Sequence, residues 1–162
     1  MKKQLIAVLL VAYLGVGQLS AQEKDSVTTL PTVTVTSATV VTKEVDKAFQ
    51  KAFPAAENLK WYMLNKNYLA KFIENDMKHQ ALYTKNGYLK YVISYGYQNH
   101  LPEDVLNKIK DAYEAYKITS VANVKEANRN IWVINLESED HIVIARVEDE
   151  EMEEVGKYVK AD

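Results

Sequence analysis

A pattern of apolar residues recurs along this chain at a nearly fixed distance. Val45, Phe49, Phe53 and Trp61 are matched sixty positions later by Val105, Ile109, Tyr113 and Val121. Tyr68, Ala70 and Phe72 match Trp132, Ile134 and Leu136 at an offset of sixty-four, and Ala81 and Tyr83 match Ala145 and Val147. The extra residues fall in the loop Glu126-Ala127-Asn128-Arg129. Such self-similarity marks one supersecondary unit used twice, each copy too small to cover its own sheet. Val45, Ala48, Phe49, Ala52 and Phe53 have the spacing of one helical face. Pro54 ends that helix, because it lacks an amide hydrogen and disfavours helix in the residue before it. Short aromatic-rich runs follow over 59–64, 67–73, 78–85 and 88–97, separated by Asn-containing breaks. Asn86-Gly87 is the strongest hairpin signal among them. A second helix opens at Leu101-Pro102-Glu103-Asp104, where proline suits the first helical position and the carboxylates suit the positive end of the helix dipole. Strands are predicted again over 117–124, 130–136, 141–147 and 154–159.

The resulting expectation is an α+β fold. It is a tandem repeat of a helix followed by an antiparallel meander, over about residues 44–100 and 101–160. The helices pack on one sheet face, and the two units lie sheet beside sheet and share a core. Phe49, Phe53, Trp61, Phe72, Ile109, Trp132 and Ile134 are predicted to be buried.

The first residues, MKKQLIAVLLVAYLGVGQLSAQ, have a positive start, a short apolar run and small residues before Gln22. That is the layout of a secretory signal peptide over 1–21, and the run is too short to span a membrane. Residues 22–43 are mostly Thr, Val and Ser and read as a flexible spacer. A periplasmic or secreted location follows, with no membrane span in the mature chain. The chain has no cysteine, so no disulfide or lipid-modified cysteine contributes and the fold must stand on its core. Its net charge is −2, and losing Lys2 and Lys3 makes it more acidic. Nucleic acid, which wants a clustered basic face, is not an indicated partner.

No catalytic constellation stands out. Ser26, Ser37, Ser94, Ser120 and Ser138 lie outside any nucleophile-elbow motif, and no glycine-rich phosphate loop exists. His79, His100 and His141 lack metal-ligand spacing, although His79 and His141 open equivalent strands. The acidic run Glu148 to Glu151 with Glu153 and Glu154 lacks the spacing of a calcium loop and reads as a solvated, self-repelling hairpin. The reading is therefore no enzyme, no cofactor and no metal site. Tyrosine is the informative residue. In an extended strand Leu89, Tyr91, Ile93, Tyr95 and Tyr97 point one way. Two readings stay open: a core face whose hydroxyls reach the rim, or an aromatic platform on an open sheet face, since tyrosine is enriched at interfaces. Tyr62 and Tyr88, on other strands, would extend such a platform.

The pieces KAFQKAFPAAENLKW, NYLAKFIEND, ALYTKNGYLKY, LPEDVL and NIWVINL, spread over about residues 44–160, carry a resemblance. The chain resembles the PepSY-like proteins exported by Bacteroidetes-type bacteria, whose domain is similar to the repeat of the β-lactamase inhibitor protein. The second half departs from the pattern: it lacks the Phe-Pro and the tryptophan, and has Glu150-Glu151 where the first has Asn86-Gly87. No local motif matches the inhibitor's contact loops, so no binding residue carries over and β-lactamase is not implied as the target. The resemblance implies an exported, non-catalytic binding module, with inhibition or regulation of an exported enzyme as its finer form. Its partner would be a protein or peptide in the periplasm or outside the cell. The alternative is a structural or sensory envelope component tethered by the N-terminal spacer.

Overall fold

The computed structural model describes residues 35–37 and 40–161. The expected signal peptide and residues 22–34, 38 and 39 of the expected spacer lie outside the described residues. The elements, in order, are β1 (Val35–Ser37), α1 (Lys43–Ala52), β2 (Glu57–Leu64), β3 (Asn67–Glu74), β4 (Met77–Tyr83) and β5 (Leu89–Gly96). A short 3₁₀ turn (Gln98–His100) leads to α2 (Glu103–Ala112), then β6 (Lys117–Glu126), β7 (Arg129–Glu137), β8 (His141–Glu148) and β9 (Glu151–Val159).

Local chemistry explains the punctuation. Thr42 caps α1: its Oγ1 accepts from the Val45 amide at 3.3 Å and donates to the Lys85 carbonyl at 2.9 Å. Three tight hairpins turn through residue pairs that both have positive φ: Asn65-Lys66, Asn75-Asp76 and Asp149-Glu150. That is the backbone of a two-residue primed turn, whose twist matches the strands it joins. At Gly87, φ is 79°, and an added Cβ would lie 2.7 Å from the Glu44 carbonyl oxygen, so this turn needs glycine to close against the start of α1.

The expected α+β tandem repeat of helix and meander is not what forms. Eight long strands and the short β1 make one antiparallel sheet in the order β1 to β9. The decisive joint is β5 with β6, which pair from Tyr91↔Glu126 to Gly96↔Val121. Backbone hydrogen bonds therefore run unbroken through the place where two units would have met, and the two helices are minor additions to a sheet protein. Matching apolar spacing reported only that both helices and their neighbouring strands bury one face.

The register shows that face to be shared. Ala70 pairs with Ala81, Ala81 with Val92 and Val92 with Lys125; Ser94 pairs with Asn123, Asn123 with Trp132 and Trp132 with Val147. Paired residues lie on the same side of a sheet. Val45 and Phe49 of α1 pack on this side with Tyr68, Phe72 and Tyr83, while Val105 and Ile109 of α2 pack with Val121, Ile134, Leu136 and Val143. The core is thus two clusters under two helices, not the single shared core expected. Phe49 is the hub of the first, with ring centroids 5.0 Å from Phe72, 5.3 Å from Trp61 and 5.5 Å from Phe53. Phe49, Phe72, Ile109, Trp132 and Ile134 are buried, whereas Phe53 and Trp61 are half-buried at the rim.

Candidate protein-binding face

Both helices pack on the side just described, and the residues of the other side follow from the strand register. One cross-strand row on it runs Tyr62, Leu69, Leu82, Tyr91. Another runs Lys71, Gln80, Ile93, Val124, Ile131, and a third runs Lys78, Tyr95, Ala122, Val133. Tyr62 and Tyr91 flank the buried Leu69 and Leu82. Tyr95, Ile142 and Tyr158 are exposed, the last two paired across β8 and β9. Large apolar and tyrosine side chains on an open sheet face resemble the composition of an interface core more than that of a solvated surface.

The predicted tyrosines separate. Tyr62, Tyr91 and Tyr95 share the open face. Tyr97 follows the last paired residue of β5 and is exposed at the start of the 3₁₀ turn. Tyr88 lies in the β4–β5 turn and lines a groove on the helix side with Phe53 and Trp132. Leu89 also departs from the predicted alternation. A register shift pairs it with Tyr83 while Tyr91 pairs with Leu82, so Leu89 packs into the core and Tyr91 faces out. Burial, then Tyr95, then Glu126 push the Tyr91 phenol above its usual pKa, so it stays a neutral hydrogen-bonding group at physiological pH.

Charges on the β7–β9 part of this face are matched. Arg129 grips Glu148 in a two-point contact at 2.6 and 2.8 Å, and Arg146 reaches Glu148 at 3.3 Å and Glu153 at 3.7 Å. The Arg129 hydrogen bond leads in holding the Glu148 carboxyl below the usual carboxylate range. Two arginines therefore pair with Glu148 and Glu153, two of the six carboxylates of the acidic run.

Sequence reasoning missed a polar cluster on the helix side. A groove of about 650 Å³ contains Ser94, Asn123 and His79 beside Phe53 and Trp132. Ser94 Oγ lies 2.8 Å from His79 Nδ1, and His79 Nε2 lies 3.0 Å from the Glu74 carbonyl. A carbonyl only accepts, so Nε2 carries the ring proton and Ser94 donates to Nδ1. The signal that could have located it is the pair of polar residues at inward positions of β5 and β6. His79 and His141 stand on β4 and β8 with three strands between them. Among the described residues no three His, Cys, Asp or Glu side chains come together as a metal site.

This geometry has solved counterparts. A BLIP-like protein from Bacteroides fragilis NCTC 9343 superposes with a TM-score of 0.60 at 16% identity, covering 77% of this chain and 92% of that one. A DUF2874 family protein from Bacteroides uniformis ATCC 8492 gives 0.57 at 14%, covering 74% and 90%. A chain from Bacteroides eggerthii DSM 20697, named among “putative periplasmic proteins”, gives 0.56 at 15%, covering 74% and 89%. The chain shares their fold. No family model matches it, so the PepSY-like label finds no support while the BLIP-like likeness does. No curated protein matches either. No helix among the described residues is long and apolar enough to cross a membrane.

Proposed function

We propose that this chain is an exported, non-catalytic binding module that receives a protein partner on its open sheet face. The observation that carries this reading is the face itself: Tyr62 on β2 and Tyr91, Ile93 and Tyr95 on β5 share the side of the sheet away from both helices, joined across β3 and β4 by Leu69 and Leu82. A few aromatic anchors usually supply most interface energy. The likeness to a BLIP-like protein supports an inhibitor or regulator of an exported enzyme as the finer form. The N-terminal layout of the sequence and the periplasmic description of one structural neighbour support a periplasmic location.

The test is co-purification from periplasmic extract with the wild-type protein and with Tyr91→Ser/Tyr95→Ser. A protein captured by the wild type and lost from a variant that keeps its circular dichroism spectrum supports the reading. Capture that survives this change but needs residues 22–43 favours a tethered envelope component instead. Capture lost with Tyr88→Ser alone would move the site to the helix-side groove.

A further inference from the structure

Three lysines crowd one corner of the open face. Lys60 and Lys71 are directly opposite each other on β2 and β3, and Lys78 is the diagonal neighbour of Lys71 on β4. Like charges directly opposite in an antiparallel pair are destabilising, and diagonal neighbours are within reach of long side chains. All three lysines are exposed, and among the described residues none makes an ion pair or hydrogen bond. Glu57, at the same end of β2, does not neutralise them. The contrast with Arg129 and Arg146, engaged on the same face, is sharp in a chain whose net charge is −2. The Lys71 ammonium has an aromatic neighbour, 5.1 Å from the centre of the Tyr62 ring. Between the lysines lies a basin of about 460 Å³ lined by Tyr62, Ile73 and Tyr95. At its rim the β2–β3 register slips between Glu57 and Lys60, and Asn58 takes φ of 55°. Bulges re-aim side chains, and strained backbone of this kind collects at binding sites.

Resting on the reading that this face binds a protein, we infer that the partner presents an acidic segment here. Its carboxylates pair with Lys60, Lys71 and Lys78, and an apolar or aromatic side chain between them enters the basin. Strand spacing of about 4.8 Å keeps the three cations in a small patch that one extended segment can cover. A bare anion would use the lysines and leave the apolar basin empty.

The test is fluorescence anisotropy of the full protein with a short labelled peptide rich in Asp and Glu around a central Phe. The comparison probes are its Asn/Gln counterpart, heparin and phosphatidylglycerol vesicles. Lys60→Gln/Lys71→Gln/Lys78→Gln is expected to weaken acidic-peptide binding by roughly tenfold, as loss of three partly exposed pairs implies. Lys43→Gln/Lys47→Gln/Lys51→Gln on α1 removes the same charge and is expected to leave binding unchanged. Tight acidic-peptide binding, lost with the amide peptide and with the corner variant, supports the inference. Equal binding by wild type and corner variant overturns it; if Tyr91→Ser/Tyr95→Ser then abolishes binding, the protein-binding face survives without the acidic segment. No binding of the acidic peptide overturns it, as does corner-dependent binding of vesicles or heparin alone.

Discussion

Tyr83 sits between α1 and the sheet with 0% of its surface exposed, and its hydroxyl has no hydrogen-bond partner among the described residues. Its ring is held edge-on by Trp61 at 6.1 Å and Phe49 at 6.4 Å. Leaving a buried hydroxyl unsatisfied costs ~1–3 kcal/mol. Tyr83→Phe removes that cost and opens a gap of a single oxygen atom, which returns a fraction of it. The expected net effect is a stabilisation of about 0.5–2 kcal/mol. Urea unfolding should show it as a higher midpoint with an unchanged slope. A second signature comes from pH. Burial pushes the Tyr83 phenol up to about 12 from its usual 10.0. Below pH 10 both folded and unfolded chains keep the proton, so this group adds no pH dependence there. Above it the unfolded chain sheds the proton first and binds fewer protons than the folded one, so wild-type stability falls as pH rises. The phenylalanine variant lacks that loss, and its advantage should widen between about pH 10 and about pH 12. A variant destabilised by about 1 kcal/mol, with a gap that does not change with pH, would refute an orphaned hydroxyl.

Phe49→Ala empties the hub of the first cluster and should cost ~3–5 kcal/mol in the same assay; a loss confined to a few tenths would mean α1 does not dock through this ring. Arg129→Ala should destabilise slightly at neutral pH. Because Arg129 depresses the Glu148 carboxyl, its contribution is full above the ordinary glutamate value and is lost as pH falls through the lowered one. The difference from wild type should therefore shrink in acid and in high salt, and a constant difference would rule out the ion pair as its source.

Local structure was legible where backbone chemistry is local. Pro54, Pro102 and Asn86-Gly87 fall at the helix and hairpin boundaries they mark. The joining of β5 to β6 was not legible, because pairing across α2 depends on contacts that apolar periodicity does not encode. The positions of the candidate tyrosines were half legible. Alternation placed Tyr91 and Tyr95 on one face, but the slip at Leu89 is invisible to a strict period of two. Tyr88 misled because a turn residue obeys no strand alternation. The Lys60–Lys71 opposition needed the β2–β3 register, which shifts near the start of β2.

The strand order itself has a mechanical consequence. Every paired strand neighbours its predecessor in the chain, so tension applied at the two ends of the sheet loads β1 and β9, its outer rows. Each can peel from its neighbour one hydrogen bond at a time, without the whole sheet shearing at once. Resistance to pulling should then come in small successive steps. The largest should fall where a helix bridges two strands, at β5 and β6, because releasing that joint also frees α2 and the longest connecting segment between paired long strands.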